Sequence, residues 1–344
     1  MRVTLKDIAA KVGVTKTAVS LALRDCPGIS QAMREKIRRV AGEMGYVADP
    51  ILQRLAAYRR TGETAKFQSV IAWLNHWDQP ERLRSYHEFE QYWRGAKLAA
   101  KRLGYRLEEF IWPADCPAKR AEARLLERGV QGLLIPPHKP EVNWGNFDWS
   151  KFSLMRFGVS VRQVDSNQVT ADLQRAIVMA INKIHDYGYR RIGLVYSQAH
   201  DQYLGGSYYG GFRWAHKSLG IEPLIPPFDS ETKTPEIAAR TKRGLDVWMK
   251  KYQPDAILAA GSEVPVFLRE LGYRIPHDVA VASTSPYDII VDAGIDQCPN
   301  AIGQIAAEML IKQISLNERG EPADPCRILV ESRWQDGKSL PPRR

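Results

Sequence analysis

Residues 3–24 read Val-Thr-Leu-Lys-Asp-Ile-Ala-Ala-Lys-Val-Gly-Val-Thr-Lys-Thr-Ala-Val-Ser-Leu-Ala-Leu-Arg, a pattern that predicts two short helices. Thr4, followed three residues later by Asp7, is a short-armed capping box and marks a helix start. Apolar residues then recur at helical spacing as far as the next glycine. Gly13 ends the first helix because glycine adopts the left-handed backbone without steric cost, and Thr15 caps the second helix.

The second helix is predicted to be apolar on one side and polar, partly basic, on the other. Val19, Ala22 and Leu23 are spaced to face inward. The residues left on the outer face are Lys16, Thr17, Ser20, Leu21 and Arg24. A third helix, capped by Ser30 and running to Gly45, packs apolar residues on the first two. Two short helices joined by a glycine-containing turn predict a helix-turn-helix, a motif whose second helix reads DNA.

Positive charge is concentrated in the same part of the chain. Residues 1–60 contain twelve Lys and Arg against five Asp and Glu, a difference of +7, whereas the full chain of 344 residues carries +10. Basic charge beside a helix-turn-helix is typical of phosphate contact. A solvated basic face is the alternative, and the helix pattern favours DNA.

A short helix is predicted directly after this head. Asp49 is an N-cap and Pro50 occupies the first helical position. Ile51, Leu52 and Leu55 project from the helix, which ends near residue 60. Such a helix is too short to be stable alone in water, so we expect it to require a partner surface.

The head resembles the lactose-repressor family of bacterial transcription regulators. The resemblance is carried by Val-Thr-Leu-Lys-Asp-Ile-Ala at 3–9, Gly-Val-Thr-Lys-Thr-Ala-Val-Ser at 13–20, Arg-Glu-Lys-Ile at 34–37 and Gly-Tyr at 45–46. It implies that the second helix enters the major groove and that a hinge helix orders on DNA. Leu55, with Leu52 beside it, is then the apolar wedge in the minor groove, where insertion kinks the duplex; dimer packing is the alternative role.

The resemblance also assigns candidate DNA contacts. Lys16, Thr17 and Leu21 occupy positions that read base edges. Lysine can donate to guanine, and Leu21, where relatives often have arginine, can offer only apolar contact to a thymine methyl or serve as a packing residue. The candidates for phosphate contact, which sets register without choosing sequence, are Thr4, Thr15, Ser20 and Arg34.

From Gln68 onward strands and helices alternate, which predicts doubly wound parallel sheets. The predicted strands are 69–74, 105–112, 130–136, 152–157, 191–196, 255–260, 279–283 and 326–334. The predicted helices are 86–103, 118–128, 171–187, 208–219, 235–252, 264–271 and 301–314. The fold class is thus an all-α helix-turn-helix head plus an α/β core of two such subdomains, resembling a periplasmic-binding-protein core.

The predicted boundaries divide the chain into three parts. Residues 1–48 form the DNA-binding domain, 49–62 the hinge and 63–344 the effector-binding and dimerisation core. Within the core, the first subdomain comprises 63–163 plus 295–322, and the second comprises 164–294 plus 323–344. Looser matches such as Gly-Tyr-Arg-Arg-Ile-Gly at 188–193 extend the resemblance over essentially the full length.

A ligand is expected in the cleft between two such sheets. Relatives that bind sugars commonly have an arginine where this chain has Tyr208, and Gly-Phe-Asp-Asp where it has Ser-Thr-Ser-Pro at 283–286. The usual charged clamp on sugar hydroxyls is therefore missing. The candidate effector-binding residues at strand ends are Trp73, Asn75, His76, Trp77, Asp201, Tyr208, Glu263 and Ser285. Each could instead be a loop or core residue.

Other function classes find little support in the sequence. It contains no His-Glu-x-x-His, Walker loop, Gly-x-Ser-x-Gly elbow or Gly-x-Gly-x-x-Gly after a strand, so no catalytic residue and no cofactor is predicted. Four widely spaced cysteines argue for a reducing compartment and against zinc. No stretch is long and apolar enough to span a membrane, and a cytoplasmic protein is expected.

These observations predict a homodimeric, sequence-specific DNA-binding transcription regulator, most simply a repressor. A twofold dimer implies a near-palindromic operator in double-stranded DNA, and a small molecule between the subdomains would bias hinge order. One rival is an enzyme fused to a DNA-binding head. The other is a regulator whose core binds no ligand and serves dimerisation or protein partners.

Overall fold

The computed structural model describes residues 4–23, 28–44, 69–138 and 142–343. The predicted hinge, with Leu52 and Leu55, lies outside these residues, as does Arg24. The head consists of α1 (Leu5–Val12), α2 (Lys16–Leu23) and α3 (Gln31–Glu43). Its core is formed by apolar residues spaced at helical period, including Ile8, Val19 and Ile37, which have no exposed surface. The predicted three-helix head is confirmed.

The first lobe of the core is built on a six-stranded sheet whose strands are all parallel. Its order is β11-β5-β4-β3-β1-β2. The strands are β1 (Ser69–Asn75), β2 (Tyr105–Ile111), β3 (Val130–Ile135), β4 (Ser153–Phe157), β5 (Asn167–Ala171) and β11 (Arg327–Val330).

The second lobe has its own six-stranded sheet, in the order β12-β10-β9-β8-β6-β7. All pairs are parallel except β10 with β12. The strands are β6 (Ile192–Tyr196), β7 (Phe228–Asp229), β8 (Ala256–Ala259), β9 (Ala280–Ser283), β10 (Gly294–Asp296) and β12 (Arg333–Gln335). The expectation of two doubly wound, mostly parallel sheets is confirmed.

Helices cover the sheets and bury their apolar faces. They are α4 (Pro80–Leu83), α5 (His87–Arg102), α6 (Ala118–Glu127), α7 (Leu173–Asp186), α8 (Gln198–Tyr203), α9 (Ser207–Leu219), α10 (Pro235–Tyr252), α11 (Glu263–Glu270) and α12 (Pro299–Leu316). In the first lobe α5 packs on α12, and in the second lobe α7 packs on α9. The α5–α12 contact is close because glycine faces backbone: a Cβ on Gly303 would lie 2.1 Å from the Tyr92 carbonyl oxygen.

Two strands lie in a different lobe from the one predicted. The segments 164–294 and 323–344 were assigned to the second subdomain, but β5 pairs with β4 and β11 pairs with β5, so both strands belong to the first sheet. The sequence Asn-Gln-Val-Thr-Ala of β5 has no continuous apolar run, and the helix prediction absorbed its last residue. The predicted single strand 326–334 is also wrong, because the chain changes sheets between β11 and β12.

The chain therefore passes between the lobes three times. It crosses from β5 to α7, from β10 to α12 and from β11 to β12, and the linking segments are residue 172, residues 297–298 and residues 331–332. Such short links keep the lobes adjacent. They leave the carboxyl ends of β5, β10 and β11 at the boundary between the lobes, where ligands of open α/β sheets bind.

Candidate functional site

Local hydrogen bonds hold the head as the sequence predicts. The backbone N–H and the hydroxyl of Thr4 donate to Asp7 Oδ2 at 2.8 and 2.7 Å, and these bonds lower the pKa of Asp7. Gly13 has φ of +81°, the left-handed stop that was predicted. The Ala18 N–H donates to Thr15 Oγ1 at 3.1 Å and so caps α2.

The outer face of α2 is open to a partner. Lys16 and Thr17 are exposed. Leu21 is half-buried and is not among the described apolar residues that pack on the head core, unlike Leu23. A side chain that is left out of the core at this position is free to contact a thymine methyl. The side chain of Ser20 is outside the description.

Two of the residues predicted to contact phosphate, Thr4 and Arg34, instead make hydrogen bonds within the head. Both donors of Thr4 are used by Asp7, so Thr4 has no donor left for a phosphate oxygen. Arg34 is half-buried, and its guanidinium donates to the Ile29 carbonyl at 3.4 Å, which ties α3 to the preceding loop. Thr15 keeps its hydroxyl hydrogen for a phosphate because the oxygen only accepts in the cap.

In the second lobe a cavity of about 270 Å³ opens at the carboxyl ends of β6, β7 and β8. Its walls carry small hydroxyls, an imidazole, carboxylates and one ammonium. The lining residues are Ser197, His200, Tyr208, Ser230, Glu231, Thr232, Lys233, Ala260, Gly261 and Glu263. The Ser230 hydroxyl donates to Glu263, and loss of solvent lowers the pKa of His200, which keeps its ring neutral at pH 7. Groups that both donate and accept hydrogen bonds suit a polyhydroxylated ligand.

Of the eight predicted effector residues, Tyr208 and Glu263 line this cavity. Asp201 is buried beside it, but its carboxylate accepts the N–H groups of Tyr208 at 2.8 Å and Tyr209 at 3.1 Å. The carboxylate therefore caps the start of α9. Its predicted ligand contact is corrected to a helix-capping role.

Two predicted residues on β1 belong to the interior of the first lobe. Trp73 has no exposed surface and packs its ring 5.6 Å from Trp93 and 5.1 Å from Phe157, so it cannot stack on a sugar. Asn75 is fully buried, and its amide donates to the Pro80 carbonyl at 2.9 Å and to Glu109 at 2.8 Å. Both predicted ligand contacts are wrong because β1 is covered on both faces.

His76 and Trp77 are half-buried at the end of β1. His76 stacks on Trp112 at 4.3 Å, and Nδ1 lies 2.7 Å from the Trp112 carbonyl oxygen. The Trp77 indole donates to the Pro137 carbonyl at 3.0 Å. The His76 ring nitrogens are engaged with backbone, whereas Trp77 keeps part of its ring available at the edge of the first sheet.

Where the lobes meet, an acidic cluster lies beside Tyr208. The Tyr92 hydroxyl donates to Glu88 at 2.7 Å, and Tyr208 is close enough to Glu88 that the carboxyl and burial both raise the pKa of Tyr208. Burial also raises the pKa of Glu88; hydrogen bonds from Tyr92 and Ser285 oppose the rise, and Asp288 and Asp296 reinforce it. Sequence reasoning missed Glu88, because one carboxylate in an amphipathic helix carries no distinguishing pattern.

Two contacts join the lobes at this boundary. Asp288 of the second lobe accepts the backbone N–H groups of His87 at 2.9 Å and Glu88 at 3.2 Å, at the start of α5. Arg162 of the first lobe donates to the Tyr203 carbonyl at 3.1 Å, at the end of α8. A carboxylate at a helix N-terminus and a guanidinium at a C-terminus both match the helix dipole.

The head and the two-sheet core can be compared with known families. Residues 4–49 match the model described as bacterial regulatory proteins, lacI family, and residues 181–340 match the periplasmic binding protein-like domain. The chain belongs to the lacI family of bacterial regulatory proteins. Membership makes it a transcription regulator with a DNA-binding helix-turn-helix head, in a family of non-enzymes.

Curated relatives of this lacI-family chain agree with that placement. The HTH-type transcriptional regulator CelR of Thermobifida fusca is 24% identical over 96% of both chains. The sucrose operon repressor of Vibrio alginolyticus is 35% identical over 52 residues, which is 15% of this chain and 55% of that relative. Similarity to the full-length relative is thus low.

Solved structures of lacI-family proteins share the fold. A CelR–cellobiose complex is 20% identical with a TM-score of 0.60, covering 98% of this chain and 100% of that one. A lac repressor dimer bound to operator and the anti-inducer ONPF is 18% identical with a TM-score of 0.53, covering 99% of both chains.

Metal-binding clusters and membrane-spanning helices are both absent from the part of the chain that the structure describes. No group of three or more His, Cys, Asp or Glu in that part of the chain could hold a metal ion. No helix there combines the length and apolarity needed to cross a bilayer.

Proposed function

We propose that this lacI-family regulator is a homodimeric repressor that binds a near-palindromic operator and is controlled by a sugar or related metabolite held between its lobes. The observation that carries the proposal is the head: an exposed α2 face with Lys16 and Thr17, fixed by the caps at Thr4 and Thr15. Residues 1–48 serve as the DNA-binding unit and 49–62 as the hinge.

The ligand part of the proposal rests on the cavity and on the two short contacts between the lobes. The cavity is close to the lower limit of small-molecule sites, about 300 Å³, which suits a small polyol. A ligand that prefers one arrangement of the lobes shifts the separation of the hinges, since a ligand can bias only states that it binds differently. The CelR–cellobiose complex supports a saccharide class.

Selection from a pool of randomised duplexes with the full-length protein tests the DNA half. We expect enrichment of a near-palindrome, because a twofold dimer presents two equivalent heads. Binding of variants is then compared between the selected duplex and random DNA. Leu55→Ala should reduce the preference of the protein for the selected duplex. The control Lys11→Ala, at an exposed position of α1, should leave that preference unchanged. No enriched palindrome, or undiminished discrimination by Leu55→Ala, would contradict the operator or hinge proposal respectively.

The alternative of a ligand-free core is favoured by one observation: the arginine clamp of sugar-binding relatives is replaced by the buried Tyr208. Thermal melting of the full-length protein with mono- and disaccharides separates the two. A ligand that binds only the folded state raises the melting temperature, and the rise grows with the logarithm of the ligand concentration over Kd. Absence of any shift would favour the ligand-free core.

A further inference from the structure

A second cavity lies beside two of the crossings between the lobes. Its volume is about 530 Å³, against about 270 Å³ for the cavity at the carboxyl ends of β6, β7 and β8, and the two share no lining residue. One wall is the N-terminal part of α7, which begins directly after the link at residue 172 and contributes Gln174 and Asn182. A second wall is Trp214 of α9, and a third is Glu331 with Ser332, the link between β11 and β12. We call this cavity the crossing pocket.

Trp214 gives the crossing pocket an unused aromatic surface. The residue is 61% exposed, and it makes no hydrogen bond, ring contact or cation–π contact with any described residue. Val178 and Met179, which are half-buried and pack on the core of the second lobe, supply apolar surface in the same pocket. A single exposed apolar side chain is ordinary on a protein surface. An indole that lines a cavity beside apolar neighbours can instead stack on a planar ligand, as aromatic side chains do on nucleobases.

Three polar side chains in the crossing pocket lack a protein partner. The amides of Gln174 and Asn182 make no hydrogen bond to a described residue. The hydroxyl of Ser332 is buried and also has no partner in the described part of the chain, although an unpaired buried hydroxyl costs free energy. The charged groups satisfy each other, because Arg175 Nη1 lies 2.8 Å from Glu331 Oε1. The pocket therefore suits a neutral ligand that both donates and accepts hydrogen bonds.

The packing of α7 on α9 decides where these groups lie along the pocket. Because α7 leads into β6 and α9 follows it, the two helices run in the same direction. They touch where a Cβ on Gly211 would lie 3.0 Å from Ile177 Cβ. Trp214, almost one turn further along α9, is then level with the turn of α7 that carries Asn182. The indole and the Asn182 amide thus form one end of the pocket, and Gln174 lies towards the other.

The length of the pocket matches a ligand with two polar parts. Gln174 and Asn182 are eight residues apart, so about 12 Å of helix separates them. That distance exceeds a nucleobase and is close to the length of a nucleoside. At the Trp214 end, an asparagine amide can pair with N6 and N7 of adenine, donating to one and accepting from the other. At the end with Gln174 and Ser332, ribose hydroxyls can both donate and accept.

We propose that the crossing pocket binds an adenine nucleoside, with its base stacked on Trp214 and paired with Asn182 and its ribose beside Gln174 and Ser332. A phosphate adds nothing to binding, because Arg175 is already paired with Glu331. The inference goes beyond the proposed sugar control, which concerns the cavity in the cleft, and does not depend on it. A nucleoside in this pocket would touch the chain at two of its three crossings between the lobes.

The test is titration calorimetry on the full-length protein with adenosine, inosine, AMP and cellobiose as probes. We expect adenosine to bind about tenfold tighter than inosine, whose O6 only accepts and cannot pair with the asparagine oxygen. AMP should bind no tighter than adenosine. Asn182→Ala should remove the preference for adenosine over inosine.

Variants of the indole locate the binding. Trp214→Ala should weaken adenosine binding about tenfold, the usual effect of losing one stacked base, whereas Trp214→Phe keeps a stacking ring and should retain most of it. Trp214 is exposed, so neither substitution disturbs the core. The matched control is Lys217→Ala, an exposed position on the next turn of α9 outside the pocket, which should bind as the natural protein does.

Each contrary result has a distinct meaning. Absence of nucleoside binding would overturn the inference and leave the proposed sugar control untouched. Adenosine binding that survives Trp214→Ala and Asn182→Ala would show that the nucleoside binds elsewhere, and would overturn the assignment of this pocket. Loss of cellobiose binding in Trp214→Ala would overturn the nucleoside class, because the crossing pocket would then hold a saccharide.

Discussion

The carboxylate of Asp288 on the second lobe accepts a hydrogen bond of 2.9 Å from the backbone N–H of His87 on the first. The same carboxylate accepts the next N–H, that of Glu88. One side chain thus caps a helix of the opposite lobe, and the stability of that helix end depends on how the lobes are placed.

Asp288→Ala should uncap α5 and loosen the contact between the lobes. An N-cap contributes about 1 kcal/mol, and here it is also a contact across the cleft. We expect faster amide exchange at residues 87–90 in hydrogen-exchange mass spectrometry. The control is Asp115→Ala, an exposed aspartate, and unchanged exchange at 87–90 in Asp288→Ala would show that the contact is not maintained in solution.

Gly303→Ala should destabilise the first lobe severely. The added Cβ would lie 2.1 Å from the Tyr92 carbonyl oxygen, so α5 and α12 must separate. Overpacking of this kind costs about 3 kcal/mol. The measurement is the free energy of unfolding in urea. The matched control is Gly42→Ala in α3, where nothing lies within 4 Å of the added Cβ. Because alanine has the better helix propensity, the control should raise stability by about 0.5–1 kcal/mol. Equal effects of the two substitutions would contradict the packing argument.

Asp201→Ala should destabilise the N-terminal end of α9, because it removes the carboxylate that caps this helix. The carboxylate is buried and accepts two N–H groups, so its loss should lower the free energy of unfolding by about 1–2 kcal/mol. Asp201→Asn keeps one acceptor oxygen and should recover part of the loss in the same denaturant titration. If alanine leaves stability unchanged, the cap assignment is incorrect.

Glu88 should make stability depend on pH. Because burial raises its pKa in the folded protein, the folded state binds more protons than the unfolded state between the two pKa values. Stability therefore falls as pH rises from the unfolded pKa through the folded pKa. Melting temperatures across this range should fall more for the natural protein than for Glu88→Gln. The exposed Glu127→Gln should follow the natural protein, and parallel curves for all three would exclude a perturbed Glu88.

Lys16→Ala should relax operator choice at one base pair. A lysine that donates to a base edge contributes about 1–3 kcal/mol of discrimination, whereas a lysine on phosphate weakens all sequences alike. Binding to the selected operator and to duplexes altered at single positions distinguishes these roles. A uniform loss across all duplexes would reassign Lys16 to phosphate contact.

The head and most of the core elements could be predicted from sequence because their signals are local. Capping by Thr4, Thr15 and Ser30 depends on residues three positions apart. Runs such as Val-Gln-Gly-Leu-Leu-Ile at β3 are buried almost completely, as a parallel strand requires. The resemblance to a known family supplied the order in which the chain forms the two lobes.

Strand membership and the chemistry of the cleft were decided by tertiary structure. The short strand β5 joins the first sheet through pairing that no local pattern specifies. Trp73 and Asn75 lie at the end of a strand whose neighbours bury them, whereas Ile111 at the end of the edge strand β2 is exposed.

The sequence alone determined the longer helices and most of the buried strands, because backbone capping and side-chain period act over a few residues. Only the three crossings between the lobes brought Glu88, Tyr208 and Asp288 together from positions up to two hundred residues apart. Charge, burial and pKa depend on distances in space, and those distances exist only once the two sheets have been joined.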